Sequence, residues 1–229
     1  MTSSPPGVLI ESSPPDAAAI GHPLLSALER ARCARFRHEI DAARHATGRV
    51  LAREAAARLL GVTAARLGIV PDTDPATRGC PRLTLDGALV RDTHLTIAHA
   101  GEVVLVAVSP QPCGIDVEVV AAVEPVVGSD TIYSAGEIAA LERAAAADRL
   151  PLAARWWTAK EAVLKALEVG LGIDPPLIDV QLDLVTVAAS GPVIEPGPGG
   201  APLAGRPTTW RLHDVAVPAG HVATLATPA

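Results

Sequence analysis

Two lysines, Lys160 and Lys165, are the only ones in a chain whose other 17 cationic residues are arginine. Both fall in one segment, Trp156-Trp157-Thr158-Ala159-Lys160-Glu161-Ala162-Val163-Leu164-Lys165-Ala166. An ammonium on a flexible stem is not equivalent to a guanidinium fork, so this placement points to chemistry rather than to general charge. On a helix, Glu161 and Lys165 at i and i+4 share a face with Trp157, and Lys160 points elsewhere. Most Glu–Lys pairs at that spacing are ordinary surface pairs worth a few tenths of a kcal/mol.

The second candidate is Asp116-Val117-Glu118 in the run Ile115-Asp116-Val117-Glu118-Val119. On a strand, i and i+2 project to one face, so two carboxylates stand together. They are either the polar face of an edge strand or a site for a hard divalent cation, which binds one or two carboxylates and completes its shell with water or phosphate oxygen. His99, after Leu95-Thr96-Ile97-Ala98, sits at a strand end, where a protonated imidazole can donate to an anion. Seven arginines (30, 32, 35, 37, 44, 49 and 53) fall within 24 residues. They form a solvated helix face or a local anion site, since arginine forks match phosphate geometry.

The elements that must carry these residues are legible. Ser/Pro pairs in residues 1–20 predict a flexible lead-in around a possible short strand at Val8-Leu9-Ile10. A helical region spans Leu24 to Gly61. Within it, Asp41 starts a long helix, Val50, Leu51, Ala55, Leu59 and Leu60 form its apolar stripe, and Gly61 is the C-cap. A short helix follows at Thr63–Leu67. Residues 68–113 read as β structure, with turns at Gly79-Cys80-Pro81 and Asp86-Gly87 and a buried central strand at Val103–Val108. Ser134-Ala-Gly-Glu137 is a capping box opening a helix to about Ala147. A second helix runs from Leu152 to Leu167 and is stopped by Gly170, Gly172 and Pro175-Pro176. Residues 177–187 read as one strand and 190–208 as a loop, with closing strands at 212–217 and 222–225. The fold class is α+β in two halves, with a seam at 109–114.

The chain has 229 residues, a formal net charge of −6 and 49% apolar residues. That charge disfavours nucleic acid as a partner. Three cysteines (33, 80 and 113) without a CxxC fit a reducing compartment. Neither a signal peptide nor a membrane-length apolar run is visible, so a cytoplasmic protein with no membrane partner is expected. There is no P-loop or dinucleotide fingerprint, and His94, His213 and His221 lack zinc spacing.

Together, Gly114-Ile115-Asp116-Val117-Glu118 and Trp157-Thr158-Ala159-Lys160-Glu161-Ala162-Val163-Leu164-Lys165-Ala166 resemble the 4′-phosphopantetheinyl transferases of the larger, surfactin-synthetase-activating type. That family's pattern is G-[IV]-D-[IV]-E followed some forty residues later by W-x-x-K-E-[AS]-x-x-K. Weaker similarities are Asp41-Ala42-Ala43-Arg44 with Gly48, Gly79-Cys80-Pro81-Arg82-Leu83, Ile97-Ala98-His99-Ala100-Gly101 and Gly170-Leu171-Gly172. The likeness spans about residues 28–185. Two departures stand out: Ala98 replaces a serine, and Cys80 replaces a lysine or arginine, for which Arg82 is the expected substitute.

The resemblance implies a pseudo-dimeric, two-lobed fold with the active site between the lobes. Its divisions would be a lead-in at 1–20, an N-terminal half at 21–112 and a C-terminal half at 113–229. It implies Mg²⁺-dependent transfer of the 4′-phosphopantetheine arm of coenzyme A to a serine of an apo acyl or peptidyl carrier protein, with release of 3′,5′-ADP (EC 2.7.8.7). A fatty-acid, polyketide or peptide synthetase would own the carrier, and the enzyme is expected to be a monomer. Carried over, the metal ligands are Asp116, Glu118 and Glu161, and the catalytic residues are Glu161, Lys165 and Lys160. Coenzyme A contacts come from Arg44, His99, Arg32, Arg82, Asp116, Lys160 and Lys165. The competing readings are a non-catalytic coenzyme A or carrier-binding module and a metal-dependent pyrophosphate hydrolase.

Overall fold

The computed structural model describes residues 5–72, 80–168, 173–181, 184–187 and 209–229. It divides into two compact units, one of residues 3–71 and 81–111, the other of residues 1–2, 72–80 and 112–229. Each is α+β. The expected turn at Gly79, the glycine pair Gly170/Gly172 and the 190–208 loop lie outside the described residues. Among the described residues no helix is long and apolar enough to cross a membrane.

The N-terminal unit holds β1 (Leu9–Ser13), α1 (Ala27–Cys33), α2 (Glu39–Leu60), β2 (Leu67–Pro71), β3 (Pro81–Leu85), β4 (Ala88–Leu89), β5 (His94–Ala100) and β6 (Val103–Ser109). One antiparallel sheet has the order β1-β6-β5 and a second the order β2-β3-β4. All seven residues of β6 are buried, which suits a central strand made of near-continuous valine. The short strand expected at Val8-Leu9-Ile10 is β1, and of the flexible lead-in around it the stretch at Ala17–Gly21 is ordered instead. β1 pairs with β6 from Leu9↔Val108 to Ser13↔Val104, and a 3₁₀ turn follows at Ala17–Gly21. Neighbouring prolines do not prevent an edge strand, because only one side of it must hydrogen-bond. The short helix expected at Thr63–Leu67 is a 3₁₀ turn at Ala64–Arg66.

α1 opens on a complete capping box, Ser26 with Glu29. The long helix expected from Asp41 is α2, and Gly61 caps it in the left-handed region at φ 66°. Its buried face is mostly alanine rather than leucine: Ala42, Ala46, Ala52, Ala55 and Ala56 are each at most 5% exposed. Small residues bring this helix close to the sheet. At Gly48 a β-carbon would stand 2.8 Å from Ile97 Cγ2, so no larger residue fits without a shift. Inside the unit, Arg53 is 2% exposed and forks onto Glu29 at 3.0 and 2.8 Å, with Nε donating to the Leu67 carbonyl. Arg53 is therefore neither solvated nor available to a ligand, contrary to both readings of the arginine cluster. Burial pushes Glu29 upward, but the Arg53 hydrogen bonds and charge, helped by Ser26, outweigh it and hold the carboxyl below its ordinary range.

The C-terminal unit is built from β7 (Gly114–Val119), α3 (Ala135–Arg143), α4 (Ala146–Leu167), β8 (Ile178–Gln181), β9 (Leu184–Val187), β10 (Thr209–Asp214) and β11 (His221–Pro228). Its antiparallel sheet runs β7-β11-β10-β9-β8, with β7 at one edge. The single strand expected at 177–187 is a pair, β8 and β9, in register from Ile178↔Val187 to Gln181↔Leu184. The second helix begins at Ala146 rather than Leu152 and runs through Pro151. Pro151 lacks the N–H that would reach residue 147, a loss of one bond near the helix start. α4 lies against β7 and β11 and carries the core residues Ala159, Ala162, Val163, Leu164 and Leu167.

Gly114 shows how close that packing is. A β-carbon there would stand 1.9 Å from the Ala162 carbonyl oxygen and 2.5 Å from the Ala166 nitrogen. Nothing but glycine lets the start of β7 touch the backbone of α4. The two motif segments are thereby packed against each other within one unit.

Candidate active site

β7 presents Asp116 and Glu118 on the side that faces α4. Thr224, opposite Asp116 in the β11 register, bonds Thr158 of α4 between hydroxyls at 3.2 Å. Residues 157, 161 and 165 form one stripe of α4, and it meets the two acids. Trp157 Nε1 donates to Glu118 Oε1 at 3.1 Å. Lys165 Nζ donates to Asp116 Oδ1 at 2.5 Å, with side chains 30% and 7% exposed. Thus Lys165 reaches across to the strand as well as sharing the Glu161 face. Asp116 is buried, whereas Glu118, Glu161 and Lys165 keep partial exposure.

The electrostatics record how close these groups are. Burial pushes the Glu118 carboxyl up, Asp116 and Glu161 add to it, and the Trp157 hydrogen bond and Lys165 oppose it. Burial likewise raises Glu161, with Lys165 opposing and Asp116 adding. Three carboxylates face one ammonium, so the site carries excess negative charge. That is the setting in which a cation is held and in which a carboxylate is basic enough to accept a proton.

The donor set is all oxygen, which suits a hard divalent cation such as Mg²⁺. Among the described residues, however, no three His, Cys, Asp or Glu side chains are gathered closely enough to hold a metal ion together. Mg²⁺ needs only one or two carboxylates when substrate phosphate and water supply the rest, so the residues fit the ion as a pair-based site.

Lys160 is the clear correction. The resemblance implies a catalytic and coenzyme A-binding role for it, although the helical spacing turns it away from Lys165. Its side chain is fully buried, with Nζ 2.7 Å from Glu137 Oε2 and donating to the Ile132 and Pro175 carbonyls at 2.9 Å each. An ammonium has three N–H donors, and those three acceptors use them. The helical spacing already turned Lys160 away from Lys165; the hidden signal was the Glu137 of the capping box, whose partner is Lys160.

The remaining expected residues lie in the N-terminal unit. Arg44 on α2 grips the Gly101 carbonyl with Nε at 3.0 Å and Nη2 at 2.7 Å, and bonds Asp41 at 2.9 Å. It thereby pins the β5–β6 turn two residues beyond His99, which is exposed. Arg32 is exposed at the end of α1, with its guanidinium carbon 5.9 Å from the Phe36 ring centroid. Arg32 and His99 both act electrostatically on His45. Arg82 is on β3, in the other sheet. Cys80 donates its thiol to the Glu168 carbonyl at 3.7 Å. Sequence reasoning missed Trp157 as the partner of Glu118 and missed His45.

Residues 112–222 match the 4′-phosphopantetheinyl transferase superfamily. A 4′-phosphopantetheinyl transferase of Bacillus subtilis is 34% identical over 96 residues, which cover 41% of this chain and 38% of that protein. The match thus spans about two-fifths of that relative's length. The superfamily match holds Asp116, Glu118, Trp157, Lys160, Glu161 and Lys165. It stops short of Arg32, Arg44, Arg82 and His99.

Proposed function

We propose that this protein transfers the 4′-phosphopantetheine arm of coenzyme A to the serine of an apo carrier protein, releasing 3′,5′-ADP. The observation that carries the reading is the convergence of Asp116, Glu118, Glu161 and Lys165 between β7 and α4, within the span of the superfamily match. The surfactin-synthetase-activating type, EC 2.7.8.7, a pseudo-dimeric arrangement, cytoplasmic location and a monomeric state belong to the same proposal.

Glu161 accepts the serine proton. Its carboxyl is already raised by burial, which makes it a better base than an exposed glutamate. The serine oxygen bonds to the phosphorus that bears pantetheine, and the bond from that phosphorus to 3′,5′-ADP breaks. Lys165 moves from Asp116 toward the transferred phosphoryl oxygens and stabilises the charge that builds there. A pair drawn from Asp116, Glu118 and Glu161 would hold Mg²⁺, with phosphate and water completing its shell, and Trp157 holds Glu118 in orientation. When bound, Mg²⁺ neutralises pyrophosphate charge and polarises the leaving oxygen. Arg44, His99, Arg32 and Arg82 are proposed for the nucleotide end of coenzyme A.

The test is incubation of the folded protein with a fluorescent coenzyme A, Mg²⁺ and a panel of fatty-acid, polyketide and peptide-synthetase apo carriers. Label should appear on the carrier serine, vanish with EDTA and vanish with a Ser→Ala carrier. No label on any carrier at high enzyme concentration refutes the proposal. Hydrolysis of coenzyme A without a carrier would instead indicate a pyrophosphate hydrolase.

A further inference from the structure

The seam where α4 meets β7 and β11 carries one buried polar contact that no step of the reaction uses. Thr158 and Thr224 are 0% and 2% exposed, and their hydroxyl oxygens stand 3.2 Å apart. A buried hydroxyl without a partner is costly, so each needs the other. Each has one proton to give. The Thr158 hydroxyl lies 3.1 Å from the Ala154 carbonyl oxygen and 3.0 Å from that of Arg155, and a carbonyl can only accept. Thr158 therefore donates back into its own helix, and Thr224 donates to Thr158. The bond is directional, running from β11 to α4.

Its place on the helix ties it to the charged site. Thr158 and Lys165 are seven residues apart, so they lie about 20° from each other around the helix and about 10.5 Å apart along it. Their partners are much closer together. Thr224 of β11 and Asp116 of β7 stand directly opposite each other, a placement that leaves side-chain roots only about 5 Å apart. The short Thr158 side chain must sit over its strand partner. The long Lys165 stem instead leans toward the helix N-terminus to reach Asp116, the direction in which helical side chains point. On the other side of Glu161, Gly114 meets the backbone of Ala162 and Ala166. Glu161 is thus bracketed by two close contacts. The glycine contact is steric and sets how near the helix comes to β7. The threonine bond is directional and sets how the helix is turned.

We propose that Thr158 and Thr224 are positioning residues, whose bond fixes the rotation and axial register of α4 and so holds Glu161 and Lys165 where they meet Asp116 and Glu118. Neither threonine is given a contact with substrate. The consequence for turnover rests on the transferase reading; the geometry does not, and it is read without coenzyme A or carrier. Trp157 precedes Thr158, and its Nε1–H donates to Glu118 at 3.1 Å. A turn of α4 alters that bond, so the Trp157 indole N–H resonance reports the register of the helix.

The test compares Thr158→Val, Thr158→Ser and the double variant Thr158→Val/Thr224→Val in the full-length chain, with Trp157→Phe used to identify the Trp157 resonance among the three tryptophans. In Thr158→Val the resonance should move upfield. There kcat for carrier labelling should fall at least about tenfold, with KM for coenzyme A within about twofold of wild type. Thr158→Ser keeps the hydroxyl and should keep the resonance, with kcat within about twofold of wild type. In the double variant two apolar groups face each other, a replacement that is nearly neutral for folding. Its urea midpoint should return toward wild type, while kcat stays low and the resonance stays displaced. A purely structural role predicts that kcat returns with the midpoint. If Thr158→Val does not fold, Thr224→Val reads the same bond, because valine suits a strand. An unmoved Trp157 resonance, wild-type kcat in the valine variant, or recovery of kcat in the double variant would each overturn the proposal. Failure of the wild-type protein to label any carrier sinks the transferase reading alone, and the Trp157 resonance then decides the positioning role by itself.

Discussion

The ammonium of Lys160 lies 2.7 Å from the carboxylate of Glu137, and neither side chain is more than 4% exposed. Glu137 also completes the α3 capping box, accepting from the Ser134 N–H at 2.8 Å. One pair therefore ties α4 to the start of α3, and the further bonds of Lys160 reach Ile132 and Pro175. Removing one partner leaves an uncompensated buried charge. Lys160→Met and Glu137→Gln should each destabilise by about 3–5 kcal/mol, and the double variant carrying both should cost less than the two singles summed. Urea unfolding of the four proteins checks this; strict additivity would argue against the pair.

Lys165 differs in environment and therefore in consequence. It is 30% exposed and holds Asp116 from the edge of the site. Lys165→Ala should cost less stability than Lys160→Met, since here only the Asp116 side of the pair is buried. Carrier labelling should drop about 10²–10³-fold if the ammonium meets developing phosphoryl charge. Lys165→Arg should restore little, because a planar fork does not follow a moving phosphoryl group as an ammonium does. Full activity in Lys165→Ala would remove this residue from the mechanism.

Glu161 is held above the ordinary carboxylate range chiefly by burial. As a base it must be deprotonated, so kcat/KM should rise with pH through that elevated value, and Glu161→Gln should abolish both the rise and the turnover. The stability effect has the opposite sign. A folded-state pKa above the unfolded one means that folding retains a proton between the two values. The protein therefore loses stability as pH rises through that window, and at pH 7 the cost is present in full. Glu161→Gln should thus raise Tm near neutrality and not below about pH 4. Calorimetry at the two pH values reads the difference; a lower Tm near neutrality contradicts it.

Gly114 is where β7 and α4 touch. Gly114→Ala would place a methyl 1.9 Å from the Ala162 carbonyl oxygen, and backbone cannot step aside as a side chain can. It should destabilise by about 3 kcal/mol or more and depress labelling more than the stability loss explains, because Asp116 and Glu118 follow Gly114 on the same strand. Wild-type stability and labelling in this variant would show that the helix can retreat.

The sequence by itself determined the elements whose signals are local. The capping boxes at Ser26 and Ser134, the glycine cap after α2, the valine run of β6 and the i,i+2 and i,i+4 spacings of the acids and Lys165 each depend on neighbours within a few residues. Tertiary structure decided everything that needed a partner from elsewhere. Lys160 and Lys165 are alike in sequence, yet one meets Glu137 in the core and the other meets Asp116 at the site edge. Arg53 and Arg49 sit one turn apart on the same helix, yet Glu29 neutralises the first and leaves the second wanting. Burial and pairing are set by chain segments 20 to 50 positions away, and a charge takes its role from its surroundings, since desolvation and partner geometry set its energy.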